Sequence, residues 1–102
     1  MNEAFRVVFS PEAEEQIVEL RRRIASEASE ATAGRFIDGL IDYCLGFGTF
    51  PMRGSARDDI RPGLRVVGYR RRASVVFSIG SETVDILAIF YGGRDYERGM
   101  QP

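Results

Sequence analysis

The run Thr83–Tyr91, TVDILAIFY, is apolar on both faces of any strand it forms. Alternation puts Ile86, Ala88 and Phe90 on one side and Leu87, Ile89 and Tyr91 on the other. An antiparallel strand with one wet face alternates apolar with polar residues, so this strand needs cover on both sides. A helical pair supplies one cover. The second comes either from another chain or the tail, or from the turn-rich loop at residues 48–63 folding over the sheet.

The helical pair is legible upstream. Ser10-Pro11 reads as an N-cap with proline in the first turn, and Glu12, Glu14 and Glu15 sit where the helix dipole favours acids. Ala13, Ile17, Leu20, Ile24 and Ala28 then follow at helical spacing, which predicts a helix over residues 11–29 with Glu19 and Arg23 paired on its outer face. A second helix is expected over residues 31–47, with Phe36, Leu40, Cys44 and Phe47 in one row and Ile37, Ile41 and Leu45 in the next. The short connection between them makes an antiparallel hairpin.

Strands flank this pair. Residues 4–9 are rich in β-branched and aromatic side chains. Gly48, Pro51, Gly54, Ser55, Pro62 and Gly63 mark one long loop over residues 48–63. Leu64–Tyr69, Ala73–Ile79 and Thr83–Tyr91 follow as strands with tight connections, an antiparallel meander. The order β-α-α-β-β-β predicts an α+β fold, a helical hairpin packed on a small, mainly antiparallel sheet. Residues 1–102 are expected to form a single domain.

Composition narrows the chemistry. The chain has no histidine and one cysteine, Cys44, which sits on an apolar helix face and reads as core. The usual general base and the usual metal ligands are therefore missing, and neither a metal nor a cofactor is expected. No run reaches the length of a membrane span and no apolar signal core follows a basic start, so a cytoplasmic location is expected. All fourteen basic residues are arginine. Residues 1–50 hold nine acids and five arginines, and residues 51–102 hold six acids and nine arginines. Either a codon bias or a guanidinium-rich surface suited to carboxylates, phosphates and interfaces explains this. Arg70-Arg71-Arg72 at a strand turn and Arg21-Arg22-Arg23 on a helix read as solvated charge or as a partner patch. Asp58 and Asp59 beside Arg57 and Arg61 read as a local ion-pair cluster.

The element order and the second half of the chain resemble the ParE/RelE toxin family of type II toxin–antitoxin systems, and the ParE-like members most. Carrying the resemblance are Phe50-Pro51 with Gly54, then Arg57-Asp58-Asp59-Ile60, then Pro62-Gly63-Leu64-Arg65, and the close Ile86-Leu87-Ala88-Ile89-Phe90-Tyr91-Gly92-Gly93-Arg94-Asp95-Tyr96. Tyr91 departs from the pattern, since ParE-like relatives often carry histidine there.

The resemblance implies a toxin associated with plasmid stabilisation. It binds and inhibits DNA gyrase without a catalytic site, and a ParD-like antitoxin neutralises it in a hetero-oligomer. An extended strand and helix of the antitoxin would wrap an apolar groove beside the sheet. Operator DNA would be read by a ribbon-helix-helix antitoxin, this chain making no base-specific contact and no membrane contact. The expected partner-binding residues are Arg57, Arg61, Arg65, Tyr69, Leu87, Ile89, Tyr91, Arg94, Asp95 and Tyr96. Two alternatives stand. One is a RelE-like ribosome-dependent mRNA endonuclease, with Arg65, Tyr91 and Arg94 as its catalytic candidates. The other is a non-toxic interaction module of the same fold. A net charge of −1 weighs against a ribosome-binding enzyme.

Overall fold

Ser10 is the corner at which the first strand becomes the first helix. The structure, a computed structural model, describes residues 4–92. In chain order its elements are β1 (Arg6–Phe9), α1 (Pro11–Glu27), α2 (Glu30–Leu45), a 3-10 turn (Gly46–Gly48), β2 (Ser55–Ala56), β3 (Leu64–Tyr69), β4 (Ala73–Ile79) and β5 (Thr83–Tyr91).

Both helices begin on serine. The Ser10 hydroxyl accepts the Ala13 N–H at 3.0 Å, and Ser29 accepts the Thr32 N–H at 3.0 Å. Each cap satisfies an amide that the first turn leaves orphaned. Because Ser29 caps α2, α1 stops at Glu27, two residues short of the expected end. α2 stops at Leu45, also short of its expectation, where the chain tightens into the 3-10 turn and buries Phe47; Gly48 there lets the Phe5 carbonyl approach where a Cβ would clash. The expected Glu19–Arg23 pair is replaced by Arg22–Glu19 at 3.2 Å and Arg23–Glu27 at 3.4 Å, both exposed.

The five strands run in the order β1-β5-β4-β3-β2. β1 lies parallel to β5, from Arg6 opposite Thr83 to Phe9 opposite Ile86, and the remaining pairs are antiparallel. The long loop of the sequence reading therefore contains a strand. Ser55 and Ala56 pair with Val66 and Arg65, a ladder too short to show as a hydrophobic pattern. The fold is two helices on one face of a five-stranded mixed sheet.

Strict alternation along β5 fails at one place. Val76 stands opposite Ala88 but Phe77 stands opposite Ile86, so Leu87 is an extra residue in β5. Such a bulge flips the side-chain parity beyond it. Ile86 therefore shares the helix-facing core with Ile89, and Tyr91 packs against it; Leu87 joins Ala88 and Phe90 on the far face. The expected grouping of Ile86 with Ala88 and Phe90, and of Leu87 with Ile89 and Tyr91, is corrected accordingly.

Both faces of the sheet are covered. On the helix side Leu20, Ile24, Phe36, Leu40, Phe47, Val75, Phe77, Val84 and Ile86 form the main core. An aromatic chain crosses it, with Phe36 to Tyr69 at 5.3 Å, Tyr69 to Tyr43 at 5.1 Å, Tyr43 to Phe47 at 5.3 Å and Phe47 to Phe77 at 4.6 Å. On the far side Leu64, Val76 and Ala88 are buried, and Ile60 of the 48–63 loop packs over them with Val66, Leu87 and Phe90. That loop thus supplies cover for the second apolar face.

Cys44 is fully buried in the main core, and burial pushes its thiol up to about 12. An unfolded thiol ionises at about 8.5, so the folded form keeps a proton that the unfolded form loses. Its contribution to stability is complete below the unfolded value and is lost as pH rises towards 12. We expect iodoacetamide to spare Cys44 in the native protein near neutral pH and to label it in denaturant. Cys44→Ala should show a flatter alkaline fall in stability than the parent chain; equal native and denatured labelling rates would contradict this.

Candidate functional site

The end of β1 leaves β5 half unpaired. Once the chain turns at Ser10, the stretch of β5 beyond Ile86 has no strand neighbour on that side among the described residues, and α1 side chains meet it instead. The Ser10 N–H donates to the Ile86 carbonyl at 2.9 Å, and the Ser10 hydroxyl donates to the Leu87 carbonyl at 2.9 Å. The Ile89 N–H donates to Gln16 Oε1 at 2.7 Å. Two side chains thus do part of what a neighbouring strand would do.

Further along this edge a cleft opens between α1 and β5. Gln16, Glu19, Leu20 and Arg23 face Ile89, Phe90 and Tyr91 across a cleft of about 300 Å³. The Arg23 guanidinium lies 4.8 Å over the Tyr91 ring, a cation–π contact at the mouth of the cleft. Sequence reasoning missed Gln16, and it read Arg23 as a partner of Glu19 or part of a charged patch rather than as the neighbour of Tyr91. A signal for Gln16 was present: it is three residues after Ala13 and four before Leu20, so a polar residue stands on the buried stripe and requires a partner.

A second arrangement lies at the β2 end of the sheet. Arg65 projects to the sheet edge, where Nε donates to the Arg53 carbonyl at 2.9 Å and Nη2 to the Gly54 carbonyl at 3.2 Å. Arg53 in turn lies 5.5 Å from the Tyr43 ring centre and 5.8 Å from that of Phe47. Gly54 has φ +67°, and a Cβ there would run into the Val66 carbonyl and Val67 Cβ. Phe50 and Met52 of the same segment are 66% and 73% exposed, the most exposed large apolar side chains among the described residues. Next to it Arg57 grips Asp59 with two hydrogen bonds of 2.9 Å. That grip, through hydrogen bonding first, holds the Asp59 carboxyl below its ordinary value. Of the expected ion-pair cluster, Arg57 and Asp59 form the pair, while Asp58 accepts the Gly63 N–H at 2.9 Å and braces the loop.

The expected partner-binding residues therefore separate. Arg57, Arg61 and Arg65 lie at the β2 end, with Arg61 exposed. Tyr69 is buried beneath Phe36 and Tyr43. Ile89 is core, Leu87 is half-buried on the far face and Tyr91 is half-buried beside the α1 cleft. Arg94, Asp95 and Tyr96 lie outside the described residues. Of the alternative catalytic set, Arg65 stands opposite Phe77 and Tyr91 opposite Ala73. Four residues along the strands and two strands across separate their backbones by roughly 16 Å. Arg65 also spends its guanidinium on two backbone carbonyls. Among the described residues no group of three or more histidine, cysteine or acidic side chains is placed to hold a metal ion, and no helix is long and apolar enough to cross a membrane.

Two stability outcomes follow. Gln16→Leu leaves the Ile89 N–H without its partner and should cost about 1–3 kcal/mol in denaturant unfolding. Gly54→Ala combines a left-handed backbone with a backbone clash and should cost about 2–4 kcal/mol. Wild-type stability in either variant would refute the corresponding contact.

A family profile described as ParE toxin of type II toxin–antitoxin system, parDE, matches residues 7–96. No curated protein sequence matches the chain. Among solved structures, the chromosomal ParDE toxin–antitoxin system from P. aeruginosa superimposes with a TM-score of 0.75 at 14% identity, covering 88% of this chain and 98% of that one. The RelBE2 toxin–antitoxin complex from Mycobacterium tuberculosis superimposes with a TM-score of 0.62 at 19% identity, covering 90% and 95%.

Proposed function

The chain belongs to the ParE toxin family of type II toxin–antitoxin systems, and from that premise we propose that it acts by binding DNA gyrase and is neutralised by a ParD-like antitoxin. On this reading it is an inhibitor by contact and carries no catalytic centre. The observation that supports it over message cleavage is the separation of Arg65 from Tyr91. A 2′-hydroxyl attack needs a base, an acid and a charge stabiliser around one phosphate. Here one candidate is committed to the Arg53 and Gly54 carbonyls and the other packs under Arg23 at the far end of the sheet.

The antitoxin is the natural occupant of the cleft between α1 and β5. A strand flank without a strand neighbour among the described residues, beside the Leu20 side chain, suits an extended segment that adds to the sheet and lays an apolar side chain between helix and strand. Arg23 and Tyr91 stand at its mouth as a cationic and aromatic anchor. The exposed pair Phe50 and Met52 is suited to the target, because large apolar side chains in the open favour burial against a partner.

Purified chain added to gyrase supercoiling reactions should block supercoiling or accumulate cleaved DNA while cell-free translation continues. An equimolar ParD-like antitoxin should reverse the effect. Translation arrest with message cut at the ribosome, and gyrase untouched, would overturn the reading in favour of the endonuclease. Absence of both effects would leave the non-toxic interaction module.

A further inference from the structure

Four arginines gather at the end of the molecule formed by the β3–β4 turn and the first turns of α2. Arg35 comes from the helix, and Arg70, Arg71 and Arg72 form the turn. Arg35, Arg70 and Arg72 line a cleft of about 280 Å³ together with the Thr32 side chain and Phe36. Arg71 sits between its two neighbours in the turn. Among the described residues none of the four makes an ion pair; the salt bridges there involve Arg22, Arg23 and Arg57 instead.

This concentration of charge is set in a strained backbone. The Arg72 N–H donates to the Tyr69 carbonyl at 3.0 Å and closes the turn, with φ of +53° at Arg70 and +57° at Arg71. Positive φ at both central residues marks a type I′ turn, where asparagine and glycine are strongly preferred because a side chain crowds the left-handed backbone. Two arginines there cost conformational energy, and like charges side by side add repulsion. Asn-Gly would remove both costs. Meanwhile the heads are partly ordered in advance: Arg70 lies 5.4 Å over the Tyr69 ring and Arg35 donates to the Thr32 hydroxyl at 3.5 Å. Pre-ordering lowers the entropy lost when a ligand is held.

We propose that this cleft is a docking site for an acidic segment of a partner protein. Guanidinium groups pair bidentately with carboxylates, and the Thr32 hydroxyl adds a polar contact at the same cleft. Phe36 gives the cleft an apolar floor against which the methylene groups of a glutamate pack. A nucleic-acid backbone fits less well. Its attraction builds over many phosphates and a long cationic track. This chain has a net charge of −1, and the acids Glu12, Glu14, Glu15, Glu19 and Glu27 line the neighbouring helix α1. The inference does not rest on gyrase as the target.

The test uses the full chain and fluorescence anisotropy with labelled octaglutamate, beside a labelled oligothymidylate of equal charge. Octaglutamate should bind at low salt, more tightly than the oligothymidylate, and weaken as salt rises. Arg35→Gln with Arg72→Gln should weaken it by at least about tenfold, the loss expected when a charge-assisted hydrogen bond is removed. Arg70→Asn with Arg71→Gly should weaken binding while raising the melting temperature, because the turn is relieved as the charge is lost. Arg21→Gln with Arg22→Gln, on the exposed face of α1, should leave binding unchanged. The proposal fails if octaglutamate does not bind at low salt, if oligothymidylate binds more tightly, if the α1 variant loses as much as the cleft variant, or if the Asn-Gly turn binds as well as the parent.

Discussion

One hydroxyl, that of Ser10, ties three parts of the structure together. It accepts the Ala13 N–H that starts α1 and donates to the carbonyl of Leu87, while the Ser10 amide donates to Ile86. Leu87 is the bulged residue of β5. The same corner thus ends β1, begins the helix and anchors the bulge. That bulge sends Ile89 to the helix side with Ile86 and turns Leu87 and Ala88 to the far side. A serine hydroxyl carries one donor and two acceptor lone pairs, so a single side chain can serve a helix cap and a strand edge at once.

The rest of the fold distributes cover around that central strand. The helical pair closes one face through the chain of rings from Phe36 to Phe77. On the other, Ile60 of the 48–63 loop packs over Leu64, Val76 and Ala88. The loop is itself held by two devices: Arg65 clamps the Arg53 and Gly54 carbonyls, and Arg57 and Asp58 brace the approach to β3. A guanidinium has five donors in a rigid fork, which is why arginines that look like surface charge in sequence serve here as internal struts.

That use of arginine divides the basic residues by role. Arg57 and Arg65 are spent on holding the loop, and Arg23 is shared between Glu27 and the Tyr91 ring. The four at the α2 and β3–β4 end have no acid opposite them among the described residues. This fold offers an edge cleft with a cation–π mouth, an apolar loop tip and a cationic end, each built on a different element.

The sequence by itself determined the element types, the start of the first helix at Ser10-Pro11, the three long strands and the family. Those features are local: the Ser10 cap, helical spacing and β-branched runs act within a few residues, and the chain states them directly, whereas the Ser29 cap falls within the stretch expected as the first helix. It also determined that Cys44 is core and that the strand Thr83–Tyr91 needs cover on both faces. Only the tertiary structure decided the parallel pairing of β1 with β5, the two-residue β2, the bulge at Leu87 and the partners of Gln16 and Arg65. Each of these joins residues distant along the chain or turns on one extra residue. Strict alternation placed Ile86 with Ala88 because a bulge is set by how two strands meet, and neither strand encodes that meeting alone.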